Sequence, residues 1–483
     1  MNARRTDVLI LGGGVAGLAT ALACADLGRK VTLLEARKKL GGRAASWTDR
    51  TSGQELDHCQ HVVMGCCTNF LDFAERVQIA REFSREERLH FLSPEGIRSD
   101  FAATPLVPAP LHLATSFLGL KYLSWSDRIA VARAVLDLAR DGVRDDADNQ
   151  SMGAWLRAKQ QSPLAIERFW QVVLVSALGE SLERSSLASA RKVFVDGLLG
   201  HPRAGDVLIP KVPLRFLFDV RAPIELASKG VTFERGTTVR SIEGSSAGVE
   251  RVIVERGQSG QLHAIDCSAT NVVLAAPWHL AASLLCQPLQ QLLPQVVEMA
   301  SVPSSAISGV HLWFDQPITP LRHAVLVGRL SQWLFAPNFA SVMPEPPPAD
   351  EHYYQVVISA SRSLVGRARE AVIEEVRADL AAVFPRSRAA KLLRWQLVSE
   401  QDAVFSVLPG LAAKRPTQLT RVPGLFLAGD WTRTEWPATL EGAVRSGYLA
   451  AEAIERSRGS VLSLLRPDLP KNWLARTLLH VRS

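Results

Sequence analysis

The glycine-rich turn near the N-terminus constrains the fold of this 483-residue chain more than any other feature. An apolar run over residues 7–11 leads into Gly12, Gly14 and Gly17, and a small-residue helix is predicted over residues 16–27. This order of strand, glycine turn and helix is typical of a dinucleotide-binding unit. Gly12 permits the tight turn, Gly14 lets backbone approach a pyrophosphate, and Gly17 lets the helix pack closely on the sheet.

The second predicted strand ends in an acidic residue, which is another expected part of such a unit. Residues 31–35 form a short apolar run that closes on Glu35. A carboxylate at this position accepts hydrogen bonds from an adenosine ribose, which favours a free 2′-hydroxyl over a 2′-phosphate. Free N–H groups at the start of the first helix favour the anionic pyrophosphate. Ala16, Ala36 and Arg37 are predicted to bind the cofactor together with Glu35.

A second glycine pair and a fixed cation follow the ribose-binding position and favour FAD over NAD. Gly41 and Gly42 precede Arg43, whose guanidinium can pair with phosphate oxygens. With these residues the chain resembles the flavoprotein family that includes amine oxidases, carotenoid desaturases and protoporphyrinogen oxidase. The resemblance implies FAD as the cofactor, with Gly42 and Arg43 in its site. A surface turn with a solvated arginine is the alternative interpretation.

A segment near the C-terminus supplies a matching half-site. Residues 424–430 form an apolar run that ends in Gly429 and Asp430, and residues 439–447 have the pattern of a helix start. In the resembled family this element closes the FAD site, which implies that Asp430 hydrogen-bonds the ribityl hydroxyls. The resemblance also implies backbone contacts to the isoalloxazine from Leu440, Gly442 and Ala443. It places the backbone of Val239 against adenine, although a plain structural strand fits that segment equally well.

The predicted fold class is α/β, with a Rossmann-type FAD-binding domain and an inserted α+β substrate domain. The FAD-binding domain is predicted to be discontinuous, and its pieces are residues 1–100, 200–277 and 395–458. The substrate or cap domain is predicted to comprise residues 101–199 and 278–394. Residues 459–483 are predicted to be a C-terminal tail, either a basic amphipathic helix at a membrane surface or a frayed terminus.

Within the cap, a helix is predicted from a capping signal and an apolar repeat. Ser124 and Asp127 have the spacing of a capping box, and the predicted helix ends near Gly142. The apolar residues at helical spacing are Ile129, Ala132, Val135, Leu136 and Ala139. Residues 105–123, which precede this helix, are more apolar than one helix face requires. They could line a lipid tunnel, lie on a bilayer surface, or form a core helix after a proline-rich turn.

Composition and charge exclude several other classes of protein. The net charge of +7 comes from scattered basic residues without a nucleic-acid-binding motif, so no nucleic acid partner is expected. The six cysteines have no CxxC pair and no metal-ligand spacing, so no metal site is expected. The N-terminus has no signal-peptide pattern, and the sequence has no apolar run of about 18 residues. We therefore expect a cytoplasmic protein, with peripheral contact at the inner face of the cell membrane left open.

One further segment narrows the resemblance to a branch of the family. Residues 56–71 contain the pattern D-x-x-Q-H-x-x-x-G-x-x-x-N. Its D is Asp57 and its H is His61. This segment resembles the squalene-associated hydroxysqualene dehydroxylases. The same resemblance extends to residues 169–179, 272–277 and 425–447. His58 and Gly179 depart from the branch, because asparagine is expected at both positions.

The resemblance implies reductive dehydroxylation of hydroxysqualene to squalene, in bacterial hopanoid or squalene synthesis. Reduced FAD would donate a hydride to an allylic carbon, and NADPH is the expected electron source. The substrate would be a hydrophobic polyisoprenoid that arrives through lipid or from an upstream prenyl synthase. A carotenoid or polyprenyl desaturase would use the same fold with hydride flowing to FAD. An amine oxidase would oxidise a small amine on this fold, and a prenyl-lipid carrier would bind its ligand without catalysis.

Dehydroxylation also requires a proton donor near the flavin, because hydroxide is a poor leaving group. His61 is the first candidate, since a histidine near its usual pKa of about 6.5 can deliver a proton at physiological pH, and Asp57 is the second. A hydrogen bond to flavin or backbone is the alternative role for His61. Trp431 and Trp436 flank the flavin-closing loop, and their ring faces are candidates for stabilising allylic cation character.

Overall fold

The computed structural model describes residues 6–49, 53–144, 146–257, 260–267, 270–337 and 351–479. Within these ranges the strands, in chain order, are β1 (Val8–Leu11), β2 (Val31–Glu35), β3 (Ser46–Thr48), β4 (Glu55–Asp57), β5 (Val63–Met64), β6 (Phe83–Glu86), β7 (Arg88–Leu92), β8 (Arg98–Ala102), β9 (Val207–Pro210), β10 (Thr232–Arg235), β11 (Thr237–Ser245), β12 (Gly248–Arg256), β13 (Leu262–Asp266), β14 (Asn271–Leu274), β15 (Ser304–Phe314), β16 (His323–Leu326), β17 (Trp333–Phe335), β18 (His352–Ile358), β19 (Leu392–Phe405) and β20 (Leu425–Leu427).

The α-helices in the same ranges are α1 (Val15–Asp26), α2 (Thr68–Arg76), α3 (Ala114–Leu118), α4 (Trp125–Asp141), α5 (Met152–Ala158), α6 (Pro163–Ala165), α7 (Gln171–Leu178), α8 (Leu187–Arg191), α9 (Ala222–Ser228), α10 (Trp278–Ala281), α11 (Gln287–Leu292), α12 (Pro294–Ala300), α13 (Arg369–Val383), α14 (Leu440–Ser457) and α15 (Trp473–Leu478). Helical stretches with π geometry are Ile166–Trp170, Lys192–Leu199 and Phe216–Arg221. Short 3-10 helices are Ala80–Glu82, Leu111–Leu113, Ala147–Asn149, Ala282–Leu284, Ser361–Leu364, Pro385–Arg388 and Ala412–Lys414.

A parallel sheet in the order β10-β2-β1-β14-β20 carries the glycine-rich turn. β1 lies at its centre and pairs in register with β2, with Val8 opposite Val31. Val8 and Ile10 belong to the apolar cluster shared with α1 and α14, whereas Leu9 and Leu11 belong to the cluster shared with the antiparallel strands β11, β12 and β13. Side chains alternate between the two faces of a strand, and both faces are covered here, which explains the uninterrupted apolar run.

A second sheet of seven strands, in the order β19-β15-β18-β17-β16-β7-β8, supports the other side of the molecule. Its strands pair antiparallel except for β16 with β7, and α13 packs against it through one apolar cluster. The strands over residues 88–102 and 392–405 belong to this sheet, although the sequence-based limits place residues 88–100 and 395–405 with the FAD-binding domain. The division into domains stays a prediction.

The helix predicted in the cap is confirmed as α4, but its buried face differs from the predicted apolar repeat. The hydroxyl of Ser124 accepts a hydrogen bond from Asp127 N at 3.1 Å, as the capping signal predicts, and Gly142 follows the last turn. The buried residues of α4 are Val131, Ala134, Leu138 and Ala139. Ile129 and Leu136 of the repeat are exposed instead. Spacing alone does not distinguish two apolar faces on one helix.

The C-terminal tail lies across the protein and ends in a short helix. Arg466 pairs with Asp72 of α2 at 2.6 Å, and Lys471 pairs with Asp196 at 2.8 Å. α15 then buries Ala475 in an apolar cluster beside α4. The tail is therefore fixed at least as far as residue 479, and residues 480–483 lie outside the described residues. In the described part of the chain, no helix combines the length and apolar character needed to cross a bilayer.

Candidate active site

The glycine turn has the geometry that the sequence predicts. Gly12 has a φ of +122°, and a Cβ atom there would lie 2.7 Å from the carbonyl oxygen of Ala275. A Cβ atom on Gly17 would lie 2.0 Å from the carbonyl oxygen of Gly12. By contrast, the nearest atom to a Cβ on Gly14 would be the Cα of Gly42, at 3.9 Å. Gly12 and Gly17 are therefore required by the protein itself, whereas Gly14 leaves open space beside the turn.

Glu35 lies directly against this turn. One carboxylate oxygen accepts a hydrogen bond from Gly13 N at 2.7 Å, and the other accepts one from Arg37 N at 2.8 Å. Ala36 and Arg37 are exposed beside it. β10 pairs with β2 so that Arg235 lies opposite Glu35, and the chain then enters β11, which carries the half-buried Val239. These predicted cofactor contacts therefore lie at the same end of the parallel sheet.

An ion pair joins the two half-sites, which are 387 residues apart in sequence. Nη2 of Arg43 donates to Oδ1 of Asp430 at 2.6 Å, and its Nη1 donates to the carbonyl oxygen of Ala403 at 3.0 Å. The guanidinium lies 5.4 Å from the centre of the Trp278 ring. In this structure the guanidinium of Arg43 therefore holds Asp430 in place, and its pairing with phosphate stays a prediction.

A buried arginine that sequence reasoning missed shapes the loop after Asp430. Arg415 donates to the carbonyl oxygens of Asp430 at 2.7 Å, Thr432 at 2.5 Å and Trp436 at 2.7 Å. Burial lowers the pKa of Arg415 to about 10, which still leaves it charged at neutral pH. Gly429, with a φ of +140°, precedes the loop. The sequence has no signal for Arg415, because nothing in its local pattern relates it to a loop that follows 15 residues later.

α14 is fixed to α2 at its start and to α1 further along. Thr439 caps the helix by accepting a hydrogen bond from Gly442 N at 3.1 Å. The buried Glu441 accepts hydrogen bonds from Phe70 N at 2.7 Å and from the Asn69 side chain at 2.9 Å, and burial raises its pKa. Further along the helix, a Cβ atom on Gly447 would lie 2.7 Å from the carbonyl oxygen of Ala16 in α1. Among the predicted ring contacts, Leu440 and Ala443 are half-buried and Gly442 is buried.

The two tryptophans predicted near the flavin are not brought together. Trp431 is fully buried, and its indole donates to the carbonyl oxygen of Ala276 at 3.0 Å. Trp436 belongs to the apolar cluster on the other face of the parallel sheet, with the ammonium of Lys192 at 4.7 Å from its ring centre. Trp431 thus has the contacts of a core residue, while Trp436 lies beneath the C-terminal tail and lines a small cavity with Lys471.

His61 is half-buried, and the charge of Arg43 acts on it. Its Nδ1 lies 3.0 Å from the carbonyl oxygen of Cys59. A carbonyl can only accept, so Nδ1 carries the hydrogen, and Nε2 of the neutral ring presents a lone pair. Burial lowers the pKa of His61, and the charges of Arg43 and His58 lower it further. A neutral ring with this tautomer can accept a proton at Nε2, whereas the sequence-based hypothesis has His61 donate one; the role of His61 stays a prediction.

Asp57 ends β4 in a buried position. Its Oδ1 accepts hydrogen bonds from the Ser46 hydroxyl at 2.6 Å and from Leu214 N at 2.9 Å. Its Oδ2 is buried and has no hydrogen-bond partner among the described residues. Burial raises the pKa of Asp57 to about 7, despite the two donors. Asp57 is therefore the acidic group of this segment that can hold a proton near neutral pH.

This raised pKa makes stability depend on pH. The pKa of Asp57 is higher in the folded protein, at about 7, than its ordinary value of 3.8, so folding takes up a proton between these pH values. Folding stability should fall as the pH rises through this interval, by about 2 kcal/mol from this group between pH 5 and pH 7. Asp57→Asn keeps an acceptor oxygen in the side chain but does not titrate, so it should remove this fall in stability. Urea unfolding at both pH values tests this, and equal pH dependence in the two proteins would contradict it.

The fold and this site together define an FAD-dependent oxidoreductase. The family model for flavin-containing amine oxidoreductases matches residues 15–455, and the chain belongs to this family. Two of its relatives come from a plant and a cyanobacterium. The chain is 27% identical over 464 residues to 15-cis-phytoene desaturase from Solanum lycopersicum, covering 93% of this chain and 77% of that protein. It is 25% identical over 493 residues to 15-cis-phytoene desaturase from Synechococcus elongatus, covering 92% of this chain and 95% of that protein.

Solved structures show the same fold at lower sequence identity. A putrescine oxidase bound to putrescine aligns with a TM-score of 0.66 and 17% identity, over 93% of this chain and 99% of that one. The predicted α/β fold with a Rossmann-type FAD-binding part is confirmed, and the chain is an oxidoreductase of the superfamily that includes carotenoid desaturases and amine oxidases.

Proposed function

We propose that this protein desaturates a linear polyisoprenoid, with hydride passing from an allylic carbon to FAD. The similarity to phytoene desaturases over more than nine-tenths of the chain carries this proposal. In such a step one C–H bond is lost as hydride and a neighbouring C–H bond as a proton, and the remaining electron pair forms the double bond. The enzyme must therefore bind FAD, hold an apolar chain beside it and accept a proton.

The residues of the site fit FAD in four places. The open space beside Gly14, at the N-terminus of α1, suits a pyrophosphate, because unpaired helix N–H groups favour anions. Glu35, which we assign to the ribose, lies against the same turn, and Asp430 is held by the Arg43 side chain and, through its carbonyl oxygen, by Arg415. The capped N-terminus of α14 adds a positive dipole end near the partly exposed Leu440. FAD, when bound, supplies the hydride acceptor.

We assign His61 as the acceptor of the proton that desaturation releases. Its hydrogen bond to the Cys59 carbonyl fixes the tautomer in which Nε2 is an acceptor, and its lowered pKa keeps the ring neutral at pH 7. A neutral acceptor suits desaturation, which releases a proton. It suits dehydroxylation less well, since that reaction consumes a proton and would need the imidazolium.

Replacing His61 with glutamine should lower the rate constant for flavin reduction by substrate about 100-fold, because a positioned base typically contributes that much or more. FAD content should remain at the wild-type level, since the His61 ring is held by the backbone carbonyl of Cys59 and not by a residue of either FAD half-site. Anaerobic stopped-flow absorbance of the bound flavin measures the rate constant. A wild-type rate constant in His61→Gln would remove this residue from the chemistry.

Reductive dehydroxylation of hydroxysqualene is the second candidate, and the segment that contains Asp57 favours it. This segment resembles the hydroxysqualene dehydroxylases, and Asp57 can be protonated near neutral pH. In that reaction a hydride from reduced FAD replaces the allylic hydroxyl, which takes up a proton and leaves as water. NADPH would be the external reductant, and a prenyl synthase would supply the substrate.

One experiment separates the two directions of hydride transfer. The oxidised holoprotein is mixed anaerobically with phytoene or squalene in detergent, and the dithionite-reduced or NADPH-reduced holoprotein is mixed with hydroxysqualene. We expect the oxidised flavin to be bleached, with a product two hydrogens lighter by mass spectrometry. Reoxidation of the reduced flavin with formation of squalene, and no reaction in the first arm, would replace desaturation with dehydroxylation.

A further inference from the structure

An exposed apolar stripe runs along the outer face of α4. Trp125 is 66% exposed, Ile129 52% and Leu136 41%, and Val143, just past the end of the helix, is 54% exposed. At about 100° per residue Trp125, Ile129 and Leu136 lie within roughly 40° of one another around the helix axis, and Val143 follows two residues after the helix ends. The opposite face of α4 is already buried in the protein. Large apolar side chains on one exposed line are therefore additional to those that fold the helix.

Arginines border this stripe on both sides. Arg128 lies next to it on one edge, and Arg133 and Arg140 lie next to it on the other, each about 40° to 80° from its centre. The guanidinium of Arg128 lies 4.5 Å from the centre of the exposed Trp125 ring. The basic residues of α4 therefore lie nearer to the apolar stripe than its acidic residues do.

The acidic residues of α4 lie farther around the helix and are bound to neighbouring groups. Asp127 accepts a hydrogen bond from the Ser162 hydroxyl at 2.6 Å. Asp137 and Asp141 pair with Lys159 at 3.1 Å and 3.0 Å, and Asp137 also pairs with Arg140. Asp137 therefore offsets the charge of Arg140, whereas Arg128 donates to the uncharged carbonyl oxygen of Leu120 at 2.7 Å. The net charge along the border of the stripe stays positive through Arg128 and Arg133.

Two segments that contact α4 also expose large apolar residues. Ala109 of the proline-rich loop, Ala139 of α4 and Ala475 of α15 belong to one buried cluster, so the three segments are in contact. The large apolar residues that these neighbours expose are Leu106, Leu111, Leu118, Trp473 and Leu478. α15 also carries the exposed Arg476. The three segments in contact thus expose aliphatic side chains, two tryptophans and basic residues.

We infer that this surface, formed by residues 105–118, α4 and α15, docks on a lipid bilayer that contains anionic lipid. Aliphatic residues with tryptophan and arginine at the edge match the chemistry of a bilayer interface, where acyl chains take the apolar groups and lipid phosphates take the cations. The border of three arginines around one apolar stripe favours an anionic bilayer over a second copy of this chain, whose identical stripe would bring like charges together. The inference does not depend on which polyisoprenoid reaction the enzyme catalyses.

The test uses co-sedimentation of the FAD-loaded full-length protein with vesicles of phosphatidylcholine, with and without phosphatidylglycerol. We expect binding to the anionic vesicles that weakens with salt. Ile129→Asp combined with Leu136→Asp should weaken it roughly tenfold or more, and Arg133→Ala about fivefold. The matched control is Ile224→Asp, because Ile224 is an exposed isoleucine on α9, which packs on α1 instead. It should bind like the wild type.

Flavin absorbance and circular dichroism confirm that each variant is folded, and Arg133→Ala changes only an exposed side chain. Equal binding of the wild type to neutral and anionic vesicles would overturn the inference, as would unchanged binding of the double aspartate variant. Light scattering in the absence of lipid tests whether a second copy of the chain binds this surface instead. A wild-type dimer that the double variant turns into a monomer would assign the stripe to a second copy of the chain.

Discussion

Replacing Gly17 with alanine is expected to abolish FAD retention and to lower the free energy of unfolding by about 3 kcal/mol. The added Cβ atom would lie 2.0 Å from the carbonyl oxygen of Gly12, so the turn and α1 must move apart. That movement changes the phosphate-binding turn itself and the crossing of α1 with α14 at Gly447. Flavin absorbance after gel filtration and urea unfolding of the apoprotein measure the two effects.

Gly14→Ala is the matched comparison, because it adds the same methyl group three residues earlier. Its Cβ atom would have only the Cα of Gly42 within 4 Å, at 3.9 Å, so the apoprotein should unfold like the wild type. FAD affinity should still fall, since the methyl group occupies the space assigned to the pyrophosphate. Equal stability of Gly17→Ala and the wild type would contradict the close contact, and unchanged FAD affinity in Gly14→Ala would contradict the assigned phosphate position.

Local patterns in the sequence predict the nucleotide-binding unit because each of its determinants is local. The apolar run of β1, the turn glycines and the acidic end of β2 all lie within residues 7–35, and each one has a direct steric or hydrogen-bonding reason. In the structure Glu35 accepts a hydrogen bond from Gly13 N, and its contact with a ribose stays a prediction. The cap helix α4 was predictable for the same reason, through its capping box.

Contacts between distant segments account for what the sequence does not predict. The Arg43–Asp430 pair joins residues 387 positions apart, and no local pattern distinguishes an arginine that binds phosphate from one that binds a carboxylate. Arg415 and Glu441 bind backbone groups of loops and helices that only the fold brings near them. The tautomer of His61 likewise depends on the single carbonyl oxygen of Cys59, which spacing does not reveal.

The orientation of α4 shows a related limit of hydrophobic patterns. Its repeat of Ile129 and Leu136 has the same spacing as a core face, and only the structure shows that Val131 and Leu138 are the buried residues. A helix with apolar residues on two faces can pack with one and expose the other. The exposed face then becomes evidence for a partner surface, which is the basis for the inferred bilayer contact.

Replacing Asp430 with alanine should raise the dissociation constant for FAD at least about 100-fold, equivalent to roughly 3 kcal/mol. Asp430 is 3% exposed, and its carboxylate joins the two half-sites through Arg43, so its loss removes a proposed ribityl contact and releases the guanidinium. The chain offers a closely matched control in the pair of Arg29 with Glu455. The N–O distance is 2.6 Å in both pairs, and the carboxylate side chains are 4% and 6% exposed.

Asp430→Ala and Glu455→Ala should therefore lose similar stability, about 1 kcal/mol each, because the freed arginine in both cases can reach water. They should differ in FAD binding, which Glu455→Ala leaves unchanged, since Glu455 lies near the C-terminal end of α14. Fluorescence titration of the apoproteins with FAD, together with urea unfolding, separates the two properties. Equal FAD affinities in the two variants would show that Asp430 acts only as an ion-pair partner and would remove it from the cofactor site.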